Sequence, residues 1–352
     1  MADGALSFAR TVDRALTHRA AVSECFLTDA ARTGRRTFRV AAQPPRAHLY
    51  YSDHVRDASP HAYYDPLLVL EIFRQACILA SHEYLAAPAD SSFVFDRGTL
   101  EILDLDALRI GDAPASVTVD GEFTEVRERA GRPCGTVVEV RASVDGTAAA
   151  AMRLDFRWIP RPAMRRLRTR TRSALDLSPA RAHPLANRRA PAQVGRELSA
   201  NVVLGRVTVA PGAEVVAQVV VDRDHPALFD HPVDHIPGAV MFEALRQTAT
   251  TAVHELWDGD DLPRHPVLTA CDVTFLRFGE FELPTHCRAR VAEGPGGRPV
   301  VDLVVEQEGD VLATARVTLD AGTAVRREER RDAAVVSSVV PPEPRPRLVP
   351  AA

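Results

Sequence analysis

The chain has 352 residues, enough for two ordinary domains, and 46% of them are hydrophobic, so it can bury a substantial core. Its formal net charge of -4 gives no overall basic field, which argues against nucleic acid as its default partner. The sequence shows no apolar run long enough to span a membrane, and five scattered cysteines without a Cys-x-x-Cys motif are typical of a reducing cytoplasm.

In chain order, a first unit begins with strand-like TFRVAAQ, followed by a loop rich in His and Asp and by one long helix, LLVLEIFRQACILASHEYL. Three strand-like runs follow, SVTVDGEF, GTVVEVRASV and AAMRLDFRWI, with a turn predicted at Asp-Gly. A second unit repeats this plan with EVVAQVVV, a His-rich loop, the helix AVMFEALRQTATTAVHELW and four strand-like runs. One helix and about five strands per unit predict an α+β class.

Two polar patterns recur between the units in the same order. The pattern E-x-x-R-Q, then six residues, then H-E recurs 172 positions later, as Glu71, Arg74, Gln75, His82, Glu83 and as Glu243, Arg246, Gln247, His254, Glu255. The pattern R-x-H-x-x-x-x-D-H begins at Arg46 and again, 177 positions later, at Arg223. Chance rarely produces two such matches at nearly one offset, so the sequence predicts a duplicated domain.

The duplication divides the chain into a first domain at 20–160 and a second domain at 196–325. The segment 161–195 is rich in Arg and Pro and is interpreted as a solvated surface linker, although its charge could instead bind a phosphate-rich partner. The end of the chain, 326–352, has the composition of a disordered tail.

Each predicted helix carries an acidic residue within an apolar surface. In the first helix Glu71, Gln75 and His82 share one face, and the flanking residues are apolar. Glu243 and Gln247 hold the corresponding places in the second helix. A buried carboxylate must be paired, so each glutamate belongs either to a structural Glu-Arg pair or to a substrate pocket.

The segment DHPALFDHPVDHIPG, 224–238, precedes the second helix and contains three Asp-His pairs. Its prolines prevent a regular helix, so His231 and His235 lack the helical spacing of a zinc site. A loop-borne metal site and a purely structural loop remain alternatives. A histidine, a Pro-Gly helix start with free N–H groups and a glutamate inside the helix favour acid-base chemistry on a carbonyl or thioester.

Three segments resemble the A-factor biosynthesis (AfsA-type) family of tandem hotdog proteins: VSECFLTDAARTGRRTFRVAAQPPRAHLYYSD, YDPLLVLEIFRQACILASHEYLAAP and FDHPVDHIPGAVMFEALRQ. The run H-P-V-D-H-I-P-G-x-x-x-x-E also resembles the active-site segment of β-hydroxyacyl carrier protein dehydratases, with a somewhat shorter spacing. The resemblance implies a double hotdog, in which each repeat wraps a curved antiparallel sheet around a long central helix. The two repeats would form an intrachain pseudo-dimer.

The same resemblance implies an acyltransferase that passes a β-ketoacyl group from acyl carrier protein to a hydroxyl of dihydroxyacetone phosphate. The ester would lead to a γ-butyrolactone, butenolide or furan signal that switches antibiotic production. No cofactor, metal, nucleic acid or membrane is expected to take part, and the chain is expected to be a monomer with an internal pseudo-dimer or a homodimer. A thioesterase or hydratase-dehydratase, and a non-catalytic acyl-binding protein, are the competing functions.

The candidate catalytic residues are His231, Asp234, His235 and Glu243. His231 is the preferred base, oriented by Asp230 or Asp234, and His235 is the substitute. Glu243 is expected beside them in one pocket between the halves, and Gly238 is expected to bring N–H groups to the oxyanion. Further residues are expected to contact the substrate, and the arginines among them could hold its phosphate: Glu71, Arg74, Arg223, Arg246 and Gln247.

The two units differ where the helix begins. The first unit lacks Pro-Gly, and its helix is entered through Tyr64, Asp65 and Pro66. Only one of the two sites is therefore expected to be fully catalytic. In the second helix, Met241 and Phe242 are expected to line an acyl tunnel or to pack in the core.

Overall fold

Six strands and one long helix build the first half of the molecule. The structure, a computed structural model, describes residues 6–55, 62–175, 177, 187–258, 266–320 and 325–326. The elements of the first half are β1 (Leu27–Arg32), β2 (Thr37–Ala42), α1 (Pro66–Leu85), β3 (Ser91–Ile102), β4 (Val117–Arg129), β5 (Arg132–Val144) and β6 (Thr147–Pro160). Within these described residues, no helix is both long enough and apolar enough to cross a membrane.

The second half repeats this plan after a short helix. The remaining elements are α2 (Arg161–Ser173), β7 (Leu204–Ala210), β8 (Glu214–Val219), α3 (Gly238–Leu256), β9 (Trp257–Asp258), β10 (Val267–Phe275), β11 (Thr285–Glu293), β12 (Pro299–Gln307), β13 (Asp310–Asp320) and β14 (Val325–Arg326). Strands β9 and β14 pair with each other in a small separate ribbon. The other twelve strands belong to one sheet.

The main sheet is antiparallel throughout, in the order β1-β2-β4-β5-β6-β3-β10-β13-β12-β11-β8-β7. From the outer edge of the sheet to its centre, the strands of the first half run β1-β2-β4-β5-β6-β3. Those of the second half run β7-β8-β11-β12-β13-β10, which is the equivalent order. The halves join where β3 pairs with β10, and Arg97 and Asp272 add an ion pair of 2.7 Å across that junction. The continuous sheet and the equivalent strand orders confirm the predicted duplication and the α+β class.

Local sequence explains the main elements. Helices α1 and α3 are buried around most of their circumference and pack against the sheet, as their apolar flanks predict. Strand β12 alternates buried and half-buried side chains along its whole length, the pattern of a strand with one face on a core. The predicted Asp-Gly turn connects β5 to β6, and Asp145 and Gly146 have φ angles of 47° and 86°, which suit a tight hairpin.

Two predictions about the elements need correction. Each half contributes six strands to the sheet instead of about five, because the patterns of β1, β3 and β7 were not recognised. The segment 161–195, interpreted as a solvated linker, contains the helix α2, which was not predicted and buries Arg168 to 2% exposure although most of its residues are exposed. Residue 176, residues 178–186 and the predicted tail beyond residue 326 lie outside the described residues.

The two halves also hold each other through matching loop contacts. The Asp230 carboxylate of the second half accepts hydrogen bonds from the N–H groups of Ala20 and Ala21, at 2.6 and 3.0 Å. Asp53 of the first half accepts the equivalent hydrogen bonds from residues 197–198. Both carboxylate positions and both sets of donors are 177 residues apart, so this reciprocal clasp follows the internal repeat.

Candidate active site

A cavity of about 320 Å³ lies between the two halves. The first half lines it with α1, β3 and β6, and the second half lines it with β10, the loop before α3 and the first turns of α3. Much of the lining is apolar, including Leu67, Leu70, Phe95, Met152, Met241 and Phe242. The predicted acyl-lining residues Met241 and Phe242 therefore do face this space.

The polar wall of the cavity includes the Asp230-His231 pair. The side chain of Asp230 is 1% exposed, and its carboxylate is already bonded to two backbone N–H groups of the first half. Although burial opposes it, these donors hold the pKa of Asp230 below its ordinary value. His231 Nδ1 lies 3.3 Å from Asp230, and the imidazole is 45% exposed. His231 is thus loosely oriented and close to solvent.

The Asp234-His235 pair is held more firmly. His235 Nδ1 lies 2.7 Å from Asp234 Oδ1, and the same carboxylate accepts a hydrogen bond from Arg168 Nε at 3.1 Å. Burial lowers the pKa of His235 in spite of the nearby Asp234 carboxylate, so its imidazole is neutral near pH 7. The expectation that Asp234 orients His231 is therefore wrong, because Asp234 bonds His235.

The Asp234-His235 pair is held by Arg168 of α2, a helix within the segment interpreted as a linker. Arg168 of α2 also forms a buried ion pair with Glu280, with Nη1 to Oε1 at 2.7 Å, and donates to the Asp234 carbonyl at 2.9 Å. Its guanidinium lies 4.8 Å from the ring centre of Phe278, which lines the cavity. In the described part of the chain, no three His, Cys, Asp or Glu side chains cluster in a way that could hold a metal ion.

Helix α3 begins at the cavity with an uncapped end. Its N-cap residue is Pro237, which makes no side-chain capping bond, and Gly238 opens the helix as predicted. Among the described residues, no group accepts a hydrogen bond from the N–H of Gly238 or Ala239. A Cβ atom added at Gly238 would meet nothing within 4 Å. The positive end of the α3 dipole and two free donors thus face open space.

Glu71 is the helix glutamate that lines the cavity, and it belongs to the first half. Arg19 contacts its Oε1 at 2.6 Å, and Arg74 donates to both carboxylate oxygens, at 2.7 and 2.8 Å. Although burial opposes ionisation, the two arginines hold the pKa of Glu71 at about 2. Arg74 and Glu71 both line the cavity, as the substrate-binding prediction requires.

Glu243 does not line the cavity, so its predicted pairing with His231 is wrong. Its side chain is fully buried, and Arg196, Arg246 and Tyr50 donate hydrogen bonds to it. Although burial opposes ionisation, the arginines lower the pKa of Glu243 well below its ordinary value. The physical reason is the way the halves pack: the loop that carries His231 lines the same cavity as Glu71 of the other half, whereas Glu243 bonds Tyr50 from the loop of the first half.

Three further predicted contact residues also lie away from the cavity. Gln247 is fully buried, donates to the Asn201 carbonyl and accepts from the Val203 N–H, so it fixes the chain before β7. Arg223 stacks on the Phe281 ring at 4.6 Å. Arg246 is bonded to Glu243 and lines a hollow of about 10 Å³ at the start of α1, in the place that corresponds to the cavity. These residues stabilise the fold in this structure.

The start of α1 in the first half corresponds to the start of α3 at the cavity, but side chains of the protein itself occupy it. The 172-residue offset makes Asp65 the counterpart of Pro237. Asp65 Oδ1 accepts a hydrogen bond from the Leu67 N–H at 2.8 Å, and Asp65 Oδ2 contacts Arg246 Nη1 at 3.1 Å. At the cavity the counterparts of these two donors are the Ala239 N–H and Arg74 Nη1. Neither donates to any described residue.

Several site residues had only a weak signal in the sequence. Arg19 and Arg196 share the 177-residue offset of the loop pattern, which could have identified them as partners of the two glutamates. Arg168 and Glu280 lie 112 residues apart and occur in no repeated pattern. Tyr50 has no aromatic counterpart 177 residues later, where Ala227 stands. These contacts became visible only in the folded chain.

Comparison with known proteins places this architecture in one family. The family model described as the A-factor biosynthesis hotdog domain matches residues 2–160 and 177–322, which confirms the double hotdog and the resemblance found in the sequence. A 2-oxo-3-(phosphooxy)propyl 3-oxoalkanoate synthase from Streptomyces virginiae is 34% identical over 79% of this chain and 87% of that protein. A protein of the same name from Streptomyces coelicolor is 28% identical over 86% of this chain and 89% of that protein.

Two solved structures are more distantly similar. The dehydratase domain of a mycocerosic acid synthase-like PKS has a TM-score of 0.48 and 16% identity, covering 84% of this chain and 95% of that chain. The 12:0-ACP thioesterase from Umbellularia californica has a TM-score of 0.47 and 12% identity, covering 80% of this chain and 93% of that chain. With the family model matching both halves, this chain belongs to the A-factor biosynthesis hotdog family.

Proposed function

We propose that this protein is an acyltransferase that joins a 3-oxoacyl group, carried on acyl carrier protein, to a hydroxyl of dihydroxyacetone phosphate. The names of the two Streptomyces relatives describe the product of that reaction. The observation that carries the proposal is the cavity between the halves, which combines an apolar wall, two Asp-His pairs and unused donors for anionic oxygen.

His235 is our choice for the general base. Its Nδ1 is fixed by Asp234 at 2.7 Å, so a neutral ring has Nε2 available to accept a proton. Its lowered pKa keeps the imidazole unprotonated near pH 7. The sequence favours His231 as the base, but its longer contact with Asp230 and its 45% exposure suit a position at the cavity mouth.

The transfer balances with these groups. The acceptor hydroxyl oxygen attacks the thioester carbonyl carbon while His235 takes the hydroxyl proton. The N–H group of Gly238 stabilises the negative oxygen of the tetrahedral intermediate. The C–S bond then breaks, and the leaving thiolate receives the proton from His235. The ester keeps the phosphate of the acceptor, and the apolar wall keeps water from competing.

The contacts of Asp65 at the start of α1 indicate where the acceptor phosphate could bind in the cavity. There the Asp65 carboxylate joins a helix N–H to Arg246, at 2.8 and 3.1 Å. At the cavity an anionic oxygen in the same place would join the Ala239 N–H to Arg74. Guanidinium groups suit phosphate because they present paired donors, so we assign the phosphate to Arg74.

A mass-spectrometric transfer assay tests the proposal. We expect a 3-oxoacyl carrier protein to lose its acyl group only when dihydroxyacetone phosphate is present, with formation of the phosphorylated ester. His235→Ala should slow this reaction by about a hundredfold or more, the usual contribution of a general base. His54→Ala is the matched control, because His54 lies at the small hollow of the other half.

Two results would overturn the proposal. Loss of the acyl group without any acceptor would identify a thioesterase. Stable binding of the acyl carrier protein without turnover, with or without the acceptor, would identify an acyl-binding protein.

A further inference from the structure

Helix α2 concentrates positive charge on a chain that is negative overall. Its 13 residues include six arginines and no acidic residue, whereas the whole chain has a net charge of -4. Four of the six are exposed: Arg161, Arg165, Arg166 and Arg170. Their side chains form no hydrogen bond or ion pair with any residue that the structure describes.

This charge does not stabilise the helix itself. Arg161 and Arg165, and likewise Arg166 and Arg170, are four residues apart, where like charges on a helix repel each other. The helix also lacks an acidic residue in its first turn, where one would favour the dipole. An anionic surface bound along α2 would relieve this repulsion.

Anchoring contacts fix α2 next to the cavity. Arg168 and Arg172, one turn apart, bind Glu280, and Arg172 also binds Glu282 with Nη2 to Oε1 at 2.6 Å. By helical spacing, Arg166 and Arg170 project from the side roughly opposite this anchored pair. The charged side of α2 is therefore presented outward by a rigidly held helix.

The anchored side of α2 reaches the reaction centre through one residue. Arg168 donates to the carboxylate and the carbonyl of Asp234, which in turn holds His235 in the cavity. Strand β6, which leads directly into α2, places Met152 and Leu154 in the cavity wall. A protein bound to α2 would thus stand beside the space that receives the acyl chain.

We propose that the outward arginines of α2 are the docking surface for the acidic acyl carrier protein that delivers the acyl group. This inference rests on the proposed function, and it adds the surface at which the acyl carrier protein binds. Opposite charges across a docking surface speed encounter and set orientation, and their effect weakens as salt increases. A carrier protein also fits because its acyl arm must enter a cavity that lies next to its docking site.

The test compares two acyl donors with one docking variant. Arg166→Glu combined with Arg170→Glu should raise KM for a 3-oxoacyl carrier protein by about tenfold, and should remove most of its dependence on salt. The same variant should keep its kcat/KM for a 3-oxoacyl N-acetylcysteamine thioester, which has no protein surface. The matched control is Arg206→Glu with Arg298→Glu, since both arginines are exposed, on β7 and in the turn before β12.

Direct binding keeps this test independent of the proposed reaction. Titration of fluorescently labelled holo carrier protein should show binding to the wild type and the control variant, and about tenfold weaker binding to the α2 variant. Equal binding by all three proteins, or an equal rise in KM for both donors, would overturn the docking assignment. Binding of duplex DNA in place of the carrier protein, lost in the α2 variant, would overturn it in favour of a nucleic-acid surface. Failure of turnover with intact α2-dependent binding would instead reject only the proposed reaction.

Discussion

Individual carboxylates decide what each histidine of the cavity can do. Asp230 has its oxygens engaged by two backbone N–H groups of the other half, whereas Asp234 directs one oxygen to His235 at 2.7 Å and the other to Arg168. The first arrangement holds a loop in place, and the second orients an imidazole. Two Asp-His pairs of the same sequence therefore have different physical roles.

The pH dependence of catalysis should report this difference. Because burial lowers the pKa of His235 below its ordinary value, kcat/KM should stay constant through neutral pH and fall in more acidic solution, where the base is protonated. Asp234 favours the charged imidazole, so Asp234→Asn should move this acidic limb to lower pH and also reduce the plateau. A pH-rate profile of both proteins measures the shift.

A purely structural role of Asp234 predicts a different profile. In that case the plateau would fall while the acidic limb kept its position. Asp302→Asn is a suitable control, because Asp302 lies on β12 and pairs with Arg316.

The helix starts are the elements in which the two halves differ most. Asp65 and Pro237 have similar backbone angles, with φ of -55° and -70° and ψ of 131° and 153°. The backbone before α3 can thus accept an aspartate without rearrangement. One residue at this point decides whether the helix end is closed by the chain or left open to a ligand.

Pro237→Asp should close the cavity in the way that Asp65 closes the other site. The new carboxylate would cap the Ala239 N–H and pair with Arg74, stabilising the protein by about 1 kcal/mol and abolishing acyl transfer. Pro237→Ala controls for loss of the proline and should retain activity. Thermal unfolding and the transfer assay measure both effects, and equal activity of the two variants would show that the α3 start does not bind the reactants.

Some elements could be predicted from sequence because their signal is local. The repeated E-x-x-R-Q pattern located both long helices, and alternation located β12. Helix α2 was missed because it has no apolar stripe, and its Arg168 is buried by Glu280, a partner 112 residues away. Strand β3 was missed although it joins the two halves, since FVFDRGTLEI lacks a clear alternation.

At the scale of the whole molecule, the sequence correctly indicated two halves and one main pocket between them. It did not indicate which glutamate enters that pocket. Because Glu243 follows the His231 loop closely in the same repeat, the sequence predicted that these two residues share the pocket. The fold instead brings that loop to Glu71 of the other repeat. Contacts between repeats depend on how the halves pack, which no local pattern records.

The reciprocal clasp between the halves allows a matched pair of variants. Asp53→Ala and Asp230→Ala each leave two backbone N–H groups without their acceptor, so each should cost about 1–3 kcal/mol of folding stability. Only Asp230→Ala should also reduce acyl transfer, because its loop carries His231 and His235. Denaturant unfolding and activity below the unfolding temperature separate the two effects, and equal loss of activity in both variants would contradict a single working cavity.

The covalent joining of the repeats has a consequence that a symmetric dimer could not share. In a dimer of identical chains, an aspartate at a helix start would appear twice and would block both clefts at once. Within one polypeptide, Asp65 can neutralise the arginine of one repeat while Pro237 leaves the other repeat receptive. Tethering thereby lets the two helix starts differ, so that one is closed by the chain's own side chains while the other stays open.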